Sequence, residues 1–318
     1  MSPVDTPLTL ATAVTSWRLD VVTLAIVGAG AYGYLRGHRR AARAGVAVES
    51  SRRIFSLAAV VLWFLATGSF VGVYADTLFW VRALQVVLLL FVVPFGLASG
   101  RPVTVARAAL GDIGRARIDR VLASRSARVL THPVITSVLM LATPWLLYLT
   151  AWYPAVLQHP AVDQITQLVL VGVGFLYFYS RLQADPVPRR YPQMISMVIS
   201  VAETLGDGLL GIVLWLGPAI AAQYYTDLGR VWGPSRTTDQ IIGAGILWVL
   251  GDILGVPFLL AVMRAFAIDE QAAAVEVDLV LDAAEATGQV TPAAGDQPGP
   301  PKLWWQDDPQ LRDRCRRG

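Results

Sequence analysis

Seven long apolar segments constrain this 318-residue chain more than any other feature. Each approaches the length of about 20 residues with which a helix crosses the hydrocarbon core of a bilayer. Because lipid offers the backbone no hydrogen-bond partners, and no barrel-like alternation is visible, each segment must be a helix. The sequence therefore predicts an all-α polytopic membrane protein with seven transmembrane helices, at about Leu19–Leu35, Ile54–Ala75, Leu78–Gly100, Pro133–Tyr153, Ile165–Leu182, Met194–Ala222 and Ile241–Phe266.

Composition agrees with this prediction and excludes several other classes of protein. The chain is 55% hydrophobic and only 15% charged, whereas a soluble domain carries about 25% charged residues. Those values exclude a soluble globular pair of domains, a disordered chain and a nucleic-acid-binding domain. The single cysteine, Cys315, excludes an internal disulfide and any metal site that needs several cysteines.

Arginine placement predicts the orientation of the helices. Three alternate loops carry 16 arginines, while the remaining loops and the N-terminal segment carry three, namely Arg18, Arg230 and Arg236. Positive residues favour the cytoplasmic side, so we expect the N-terminus outside and the C-terminus in the cytoplasm. The basic segments on the cytoplasmic side are Arg36–Arg53, Arg101–Arg128 and Arg181–Arg190.

This topology divides the chain into three parts. Residues 1–18 form an extracytoplasmic segment, 19–266 the membrane domain, and 267–318 a cytoplasmic acidic helix, a flexible linker and an aromatic-acidic tail. The long basic loop Arg101–Thr131 carries apolar residues among its arginines, a pattern typical of a helix lying on an anionic leaflet. A loop that only sets topology has the same pattern, so both interpretations stay open.

Charged residues inside the predicted spans are costly, at about 2.5–3.5 kcal/mol each on insertion scales, and they usually face a partner or a cavity. At about 1.5 Å per residue, Glu203 and Asp252 lie near the midplane, with Asp207 and Arg82 nearer the outer face. We predict an Arg82–Asp207 ion pair and a Glu203–Asp252 pair that shares a proton. Polar contacts between helices, with no transport, are the alternative.

Two short motifs suggest ligands but have simpler explanations. Residues 28–33 match GxGxxG, yet the match lies in a predicted membrane helix without the strand that a dinucleotide site requires, so close packing of small residues is expected. Met194 and Met197 form an MxxM pair that could contact Cu(I), but two thioethers without a third ligand favour packing. No catalytic nucleophile or metal-ligand constellation is present, and an enzyme is not predicted.

Three stretches resemble the CtaG-type cytochrome c oxidase assembly factors, a seven-helix family associated with copper delivery, over about residues 20–270. Residues 182–190 are similar to the family's DPxPRR loop, residues 239–252 to its DQxxGGxxxWxxGD stretch, and Thr131-His132-Pro133 to its HP motif. In the third span Gln85 and Pro94 are in register with the family pattern. The positions that carry this resemblance are Gln85, Pro94, His132, Asp185, Pro186, Asp239, Gln240 and Trp248.

The family's histidines are absent from this chain. The resemblance places five histidine positions at or near the outer half of the membrane, where copper would be passed on. Here they hold Arg82, Val86, Trp152, Asp163 and Gln167. Arginine and valine cannot ligate copper, and tryptophan is at best a weak contact, so no complete copper site is expected.

The resemblance implies a multi-pass protein of the plasma membrane that acts in biogenesis of a copper-containing respiratory oxidase. Its partners would be membrane lipids and oxidase subunits, not nucleic acid, and copper would be implied by the family alone. A proton-linked small-solute transporter that uses Glu203, Asp207 and Asp252 is the alternative.

Overall fold

The architecture is taken from a computed structural model that describes residues 4–43, 50–183, 185, 186, 206, 208–250 and seven single positions between 253 and 283. Every regular element in these residues is helical, and none of them forms a strand. The chain divides into two compact units, Met1–Ala265 and Phe266–Gly318. In the second unit five positions are described, all helical: Gln271, Val275, Asp278, Leu279 and Ala283.

The first unit is a succession of helices with short connections. Up to residue 183 the α-helices are α1 Leu10–Thr15, α2 Val21–Arg43, α3 Ser50–Gly68, α4 Phe70–Tyr74, α5 Phe79–Val87, α6 Val93–Ser99, α7 Pro102–Ala109, α8 Asp112–Leu122, α9 Arg125–Leu130, α10 Pro133–Leu149, α11 Trp152–Gln158 and α12 Pro160–Leu182. A π-helical turn, Leu88–Val92, joins α5 to α6. Later helical segments are 208–216, Ala222–Asp227, Arg236–Gly245 and the π-helical turn Ile246–Leu250.

Three helices in the described residues are long and apolar enough to cross a membrane: Arg52–Tyr74, Phe79–Ser99 and Pro160–Leu182. A fourth span arises if α10 and α11, which meet at a bend of 69°, are taken together. These four correspond to the second, third, fifth and fourth predicted spans. The all-helical prediction is confirmed for the described residues, and the parts of the sixth and seventh spans that carry Glu203, Asp207 and Asp252 lie outside them.

The third span, formed by α5, the π-helical turn and α6, is the central element. The most apolar stretch of 18 residues in this span is 67% buried. The corresponding stretches in the spans Arg52–Tyr74 and Pro160–Leu182 are each 44% buried. Small residues let its neighbours approach closely. A Cβ atom added at Gly96 would stand 2.7 Å from the Ala59 Cβ, and one added at Gly174 would stand 2.0 Å from the Leu90 carbonyl oxygen.

The GxGxxG segment does not show the close packing found at Gly96 and Gly174. At Gly28, Gly30 and Gly33, no described atom lies within 4 Å of where a Cβ would be. The close helix packing predicted for these three glycines is therefore not found among the described residues. They lie on the exposed side of α2.

Two aspartates from distant parts of the chain hold the beginnings of helices. Asp239 accepts hydrogen bonds from the backbone N–H groups of Phe79 (3.2 Å) and Trp80 (2.9 Å), where the third span begins. Asp185 accepts from the N–H groups of Val103 and Thr104, both at 2.7 Å, where α7 begins. A carboxylate satisfies the free N–H groups of a helix start and complements its dipole. The two contacts therefore tie the helix Arg236–Gly245 to the beginning of the third span, and the residues just after α12 to the beginning of α7.

The basic loop after the third span is divided into short helices. Over Arg101–Thr131, where the sequence left a helix on the leaflet and a topology-setting loop both open, the structure has the three helices α7, α8 and α9. Gly111 stands before α8 in an extended conformation, and the Ser124 hydroxyl accepts from the Ala127 N–H (3.1 Å) at the start of α9. These two capping positions divide the segment.

Candidate functional site

A buried arginine organises the end of the helices at which the third span begins. Arg82 is 3% exposed and lies one turn into α5. Its Nη1 donates to Asp163 Oδ1 (2.6 Å) and to Gln85 Oε1 (2.9 Å), and its Nη2 donates to Asp76. The guanidinium is thus held by one carboxylate from the loop before α5 and another from α12. Burial of a charge at this depth requires such partners.

Asp163 is the second buried member of the cluster. It is 6% exposed, and its Oδ2 accepts from the Gln167 Nε2 (2.9 Å), one helical turn further along α12. The guanidinium of Arg18 lies 3.8 Å from Asp163 Oδ2 and 3.7 Å from Asp76 Oδ2. We call Arg18, Asp76, Arg82 and Asp163 the Arg82 cluster. Its two arginines and two aspartates are formally neutral together, and each arginine contacts both aspartates.

Asp76 lies between the second and third spans and is partly buried. Burial raises the pKa of the Asp76 carboxyl above its ordinary value, and the positive charges of Arg82 and Arg18 oppose that rise. The guanidinium of Arg82 therefore favours the ionised form of the Asp76 carboxyl, whereas burial favours its protonated form.

Tyrosines from α10, α11 and the helix Ala222–Asp227 lie near the cluster. The Tyr153 and Tyr225 hydroxyls lie 2.9 Å apart, and Tyr224 donates its hydroxyl to the Asp76 carbonyl oxygen (3.0 Å). The rings of Tyr148 and Tyr153 contact each other, with centroids 5.0 Å apart. Within the described residues the Tyr148 hydroxyl, Arg82 Nε and Gln167 Oε1 are buried without a protein partner.

The structure brings together the positions at which the family resemblance expects histidines. Arg82, Asp163 and Gln167 form one hydrogen-bonded chain. Val86 is buried one turn after Arg82 on the same helix. Trp152 contacts α12 one residue before Gln167. Its Nε1 donates a hydrogen bond to the Thr166 hydroxyl (2.8 Å).

These side chains do not fit a copper ion. Copper in proteins is held by imidazole, thiolate or thioether groups, and none of the five positions supplies one. The Arg82 guanidinium is a permanent cation at the place a metal would need, and the Asp163 oxygens are already engaged by Arg82 and Gln167. In the described part of the chain no group of three or more histidine, cysteine, aspartate or glutamate residues could hold a metal ion.

The other motif residues have structural roles. Gln85 donates to the Ala66 carbonyl oxygen (2.8 Å), and Gln240 donates to that of Leu214 (2.7 Å). The roles of the remaining positions are similar: Pro94 lies against the Gly174 backbone, His132 accepts from the Val134 N–H at the start of α10, the Pro186 carbonyl accepts from the Tyr179 hydroxyl, and Trp248 lies against Gly208 and Gly211.

The predicted partner of Arg82 was Asp207, which lies outside the described residues together with Glu203 and Asp252. In the structure both terminal nitrogens of Arg82 are engaged by Asp76, Gln85 and Asp163. Sequence reasoning missed Asp76 and Arg18 because it placed them in connections, not in spans. The sequence signal that could have identified Asp76 was its position six residues before Arg82, close to the start of a helix.

Comparisons with known proteins agree with the fold. Residues 32–267 match the model of the family described as cytochrome c oxidase caa3 assembly factor (Caa3_CtaG). An uncharacterized protein of Mycobacterium bovis is 27% identical over 271 residues, which is 82% of this chain and 41% of the relative; a Mycobacterium tuberculosis protein gives the same values. A Mycobacterium leprae protein is 26% identical over 272 residues. No solved structure matches.

Apolar helices around a buried charged cluster define a helical membrane protein. The chain belongs to the cytochrome c oxidase caa3 assembly factor family, which confirms the resemblance drawn from its motifs. It spans about two fifths of the length of the curated relatives that it matches.

Removing one side of the buried ion pair should destabilise the protein far more than removing both. We expect R82M or D163L to lower the free energy of unfolding by about 3–5 kcal/mol, because each removes the buried partner of a buried charge and leaves it only a partly exposed one, Arg18 or Asp76. The double variant R82M/D163L should recover most of that loss. Denaturant titration in detergent micelles measures both.

The matched control is the exposed pair Arg107–Asp119, whose atoms lie 2.9 Å apart with side chains 33% and 44% exposed. R107M should cost at most about 1 kcal/mol. Equal losses for R82M and R107M would contradict the buried-pair assignment.

Proposed function

We propose that the protein is a non-catalytic factor in the biogenesis of a copper-containing respiratory oxidase of the plasma membrane, and that it acts without a complete copper site of its own. Membership of the assembly factor family supports the role in biogenesis. The absence of a complete copper site is supported chiefly by the Arg82–Asp163 ion pair. This pair occupies positions where the family resemblance expects metal ligands.

The cluster suits a structural role in assembly. A buried ion pair adds little net stability compared with apolar packing, but it penalises arrangements in which either charge loses its partner. Arg82 belongs to the third span and Asp163 to the fifth, so the pair holds two spans in one register. We infer that this end of the protein offers a fixed surface to an oxidase subunit and does not exchange a metal ion there.

The side chains of the Arg82 cluster support action through contacts, not catalysis. Its carboxylates and the terminal nitrogens of Arg82 are engaged with one another through hydrogen bonds and ion pairs. A general base or nucleophile needs a reactive group directed at a substrate. The assembly-factor description of the family supports a non-catalytic role.

The proposed topology has seven spans, an external N-terminus and a cytoplasmic C-terminus. The distribution of 16 arginines against three supports it. The two ends of α12 support it as well, because Asp163 contacts the beginning of the third span whereas Asp185 contacts α7, just after the end of that span.

Cysteine labelling in intact cells tests this topology. Single cysteines introduced beside the two ends of α12, at His159 and at Gln183, in a Cys315→Ser background should react from opposite sides of the membrane. The first should react with an impermeant thiol reagent before lysis and the second only after it. Reaction of both from one side would contradict the topology.

Deletion of the gene tests the role in biogenesis. We expect assembled, active copper-containing oxidase in the membrane to fall by several-fold, and added copper not to restore it, because the proposed role is structural. R82M should fail to complement even where its abundance is restored, whereas R107M should complement fully. Spectroscopy of membrane haem and oxygen consumption measure the result.

Full rescue of the deletion by added copper would contradict a role without copper handling. Normal oxidase together with lost proton-coupled uptake of a solute would contradict the role in biogenesis and favour the transporter alternative.

A further inference from the structure

The GxGxxG segment of α2 lies on a surface that no described atom covers and that the proposed function does not use. At Gly28, Gly30 and Gly33 a Cβ atom would meet no described atom within 4 Å. One turn after Gly33, a Cβ at Gly37 would stand only 2.9 Å from the Val105 side chain of α7. The helices α2 and α7 therefore touch at Gly37, and the uncovered glycines lie on the N-terminal side of that contact.

Two grooves run along α2 from this point. One, of about 350 Å³, lies between α2 and α7 and is lined by apolar side chains such as Val105 and Leu110. The other, of about 270 Å³, lies between α2, α3 and the end of the third span, and its lining is mainly apolar, including Trp63 and Phe175. Both grooves share Gly30, Tyr34 and Pro102, so they meet at one place on α2.

Arginines stand at the basic end of the same helix. Arg36, Arg39, Arg40 and Arg43 are all exposed, and together they line a cavity of about 330 Å³. Arg36 and Arg40 also line the groove between α2 and α7, so the cationic cavity and the apolar groove are continuous. In the described part of the chain these four make no ion pair, and Arg36 donates to the Tyr32 hydroxyl (3.2 Å).

The distance between the two regions matches an amphipathic ligand. From Gly30 to Arg40 is ten residues of helix, or about 15 Å. That separation places a guanidinium at the level of a lipid phosphate when the glycine lies at the level of the acyl chains. Arginine binds phosphate through two parallel N–H···O bonds, and basic pockets on the cytoplasmic side of membrane helices bind anionic headgroups.

We propose that α2 carries a binding site for an anionic diacyl phospholipid. The phosphate lies against Arg36 and Arg40, and an acyl chain occupies the groove opened by Gly30 and Gly33. The ligand is a lipid and not a free phosphate, because a phosphate ion would leave the apolar groove without an occupant. The inference does not depend on the role in oxidase biogenesis.

Binding of phosphatidylglycerol to the purified full-length protein tests the headgroup part of the site. We expect R36Q/R40Q to weaken binding roughly 30-fold, since each arginine near an anionic surface contributes measurably. The control R117Q/R120Q removes two exposed arginines from α8, outside the grooves, and should change binding by less than about threefold. Native mass spectrometry of delipidated protein, titrated with phosphatidylglycerol or phosphatidylcholine, gives these ratios.

Filling the groove tests the acyl-chain part. G30L should weaken phosphatidylglycerol binding by roughly tenfold, because the added side chain occupies the place where both grooves meet. The control G28L adds the same side chain at a glycine that is equally open but lines neither groove, and it should bind as the wild type does. Inorganic phosphate at millimolar concentration should not displace the lipid.

Three results would overturn the proposal. The first is equal binding of phosphatidylglycerol by wild type and R36Q/R40Q, which would show that the arginines do not bind the headgroup. The second is equal binding by G30L and G28L. The third is full displacement by inorganic phosphate, which would show an anion site without a lipid.

Discussion

The ion pair between Arg82 and Asp163 is the interaction on which the rest of this structure depends. A guanidinium that is 3% exposed must have carboxylate partners, because an unpaired charge in hydrocarbon or protein interior is very costly. Its partners are Asp76, in the connection between the second and third spans, and Asp163 in α12. Pairing this one charge therefore brings three segments of the chain together. The pair also fills the place where a metal would need imidazoles, and a cation excludes a second cation.

Two further carboxylates join distant segments of the chain. Asp185 and Asp239 each accept two backbone N–H groups at the start of a helix that lies 81 to 160 residues away in sequence. These contacts fix the beginning of the third span and the beginning of α7, the helix that follows that span. Both motif aspartates of this protein therefore have a structural role at a junction between helices.

The second to fifth spans could be predicted from sequence because bilayer thickness sets the length of an apolar helix. The points at which helices break could not be predicted. The division of Arg101–Thr131 into three helices depends on the local geometry of the capping residues Gly111 and Ser124. Arg82 was recognised as a buried charge that needs a partner, but its partners were not. Asp76 lies in a connection, and nothing in one sequence shows that it folds against α5.

The central claim is that charges have replaced a metal site at the beginning of the third span. Its most direct test is the copper content of the protein purified from membranes, followed by Cu(I) titration against a chelator of known affinity. We expect the purified protein to retain no copper. We also expect no Cu(I) binding that depends on Arg82 or Asp163. Retention of one equivalent of copper that D163N releases would contradict it.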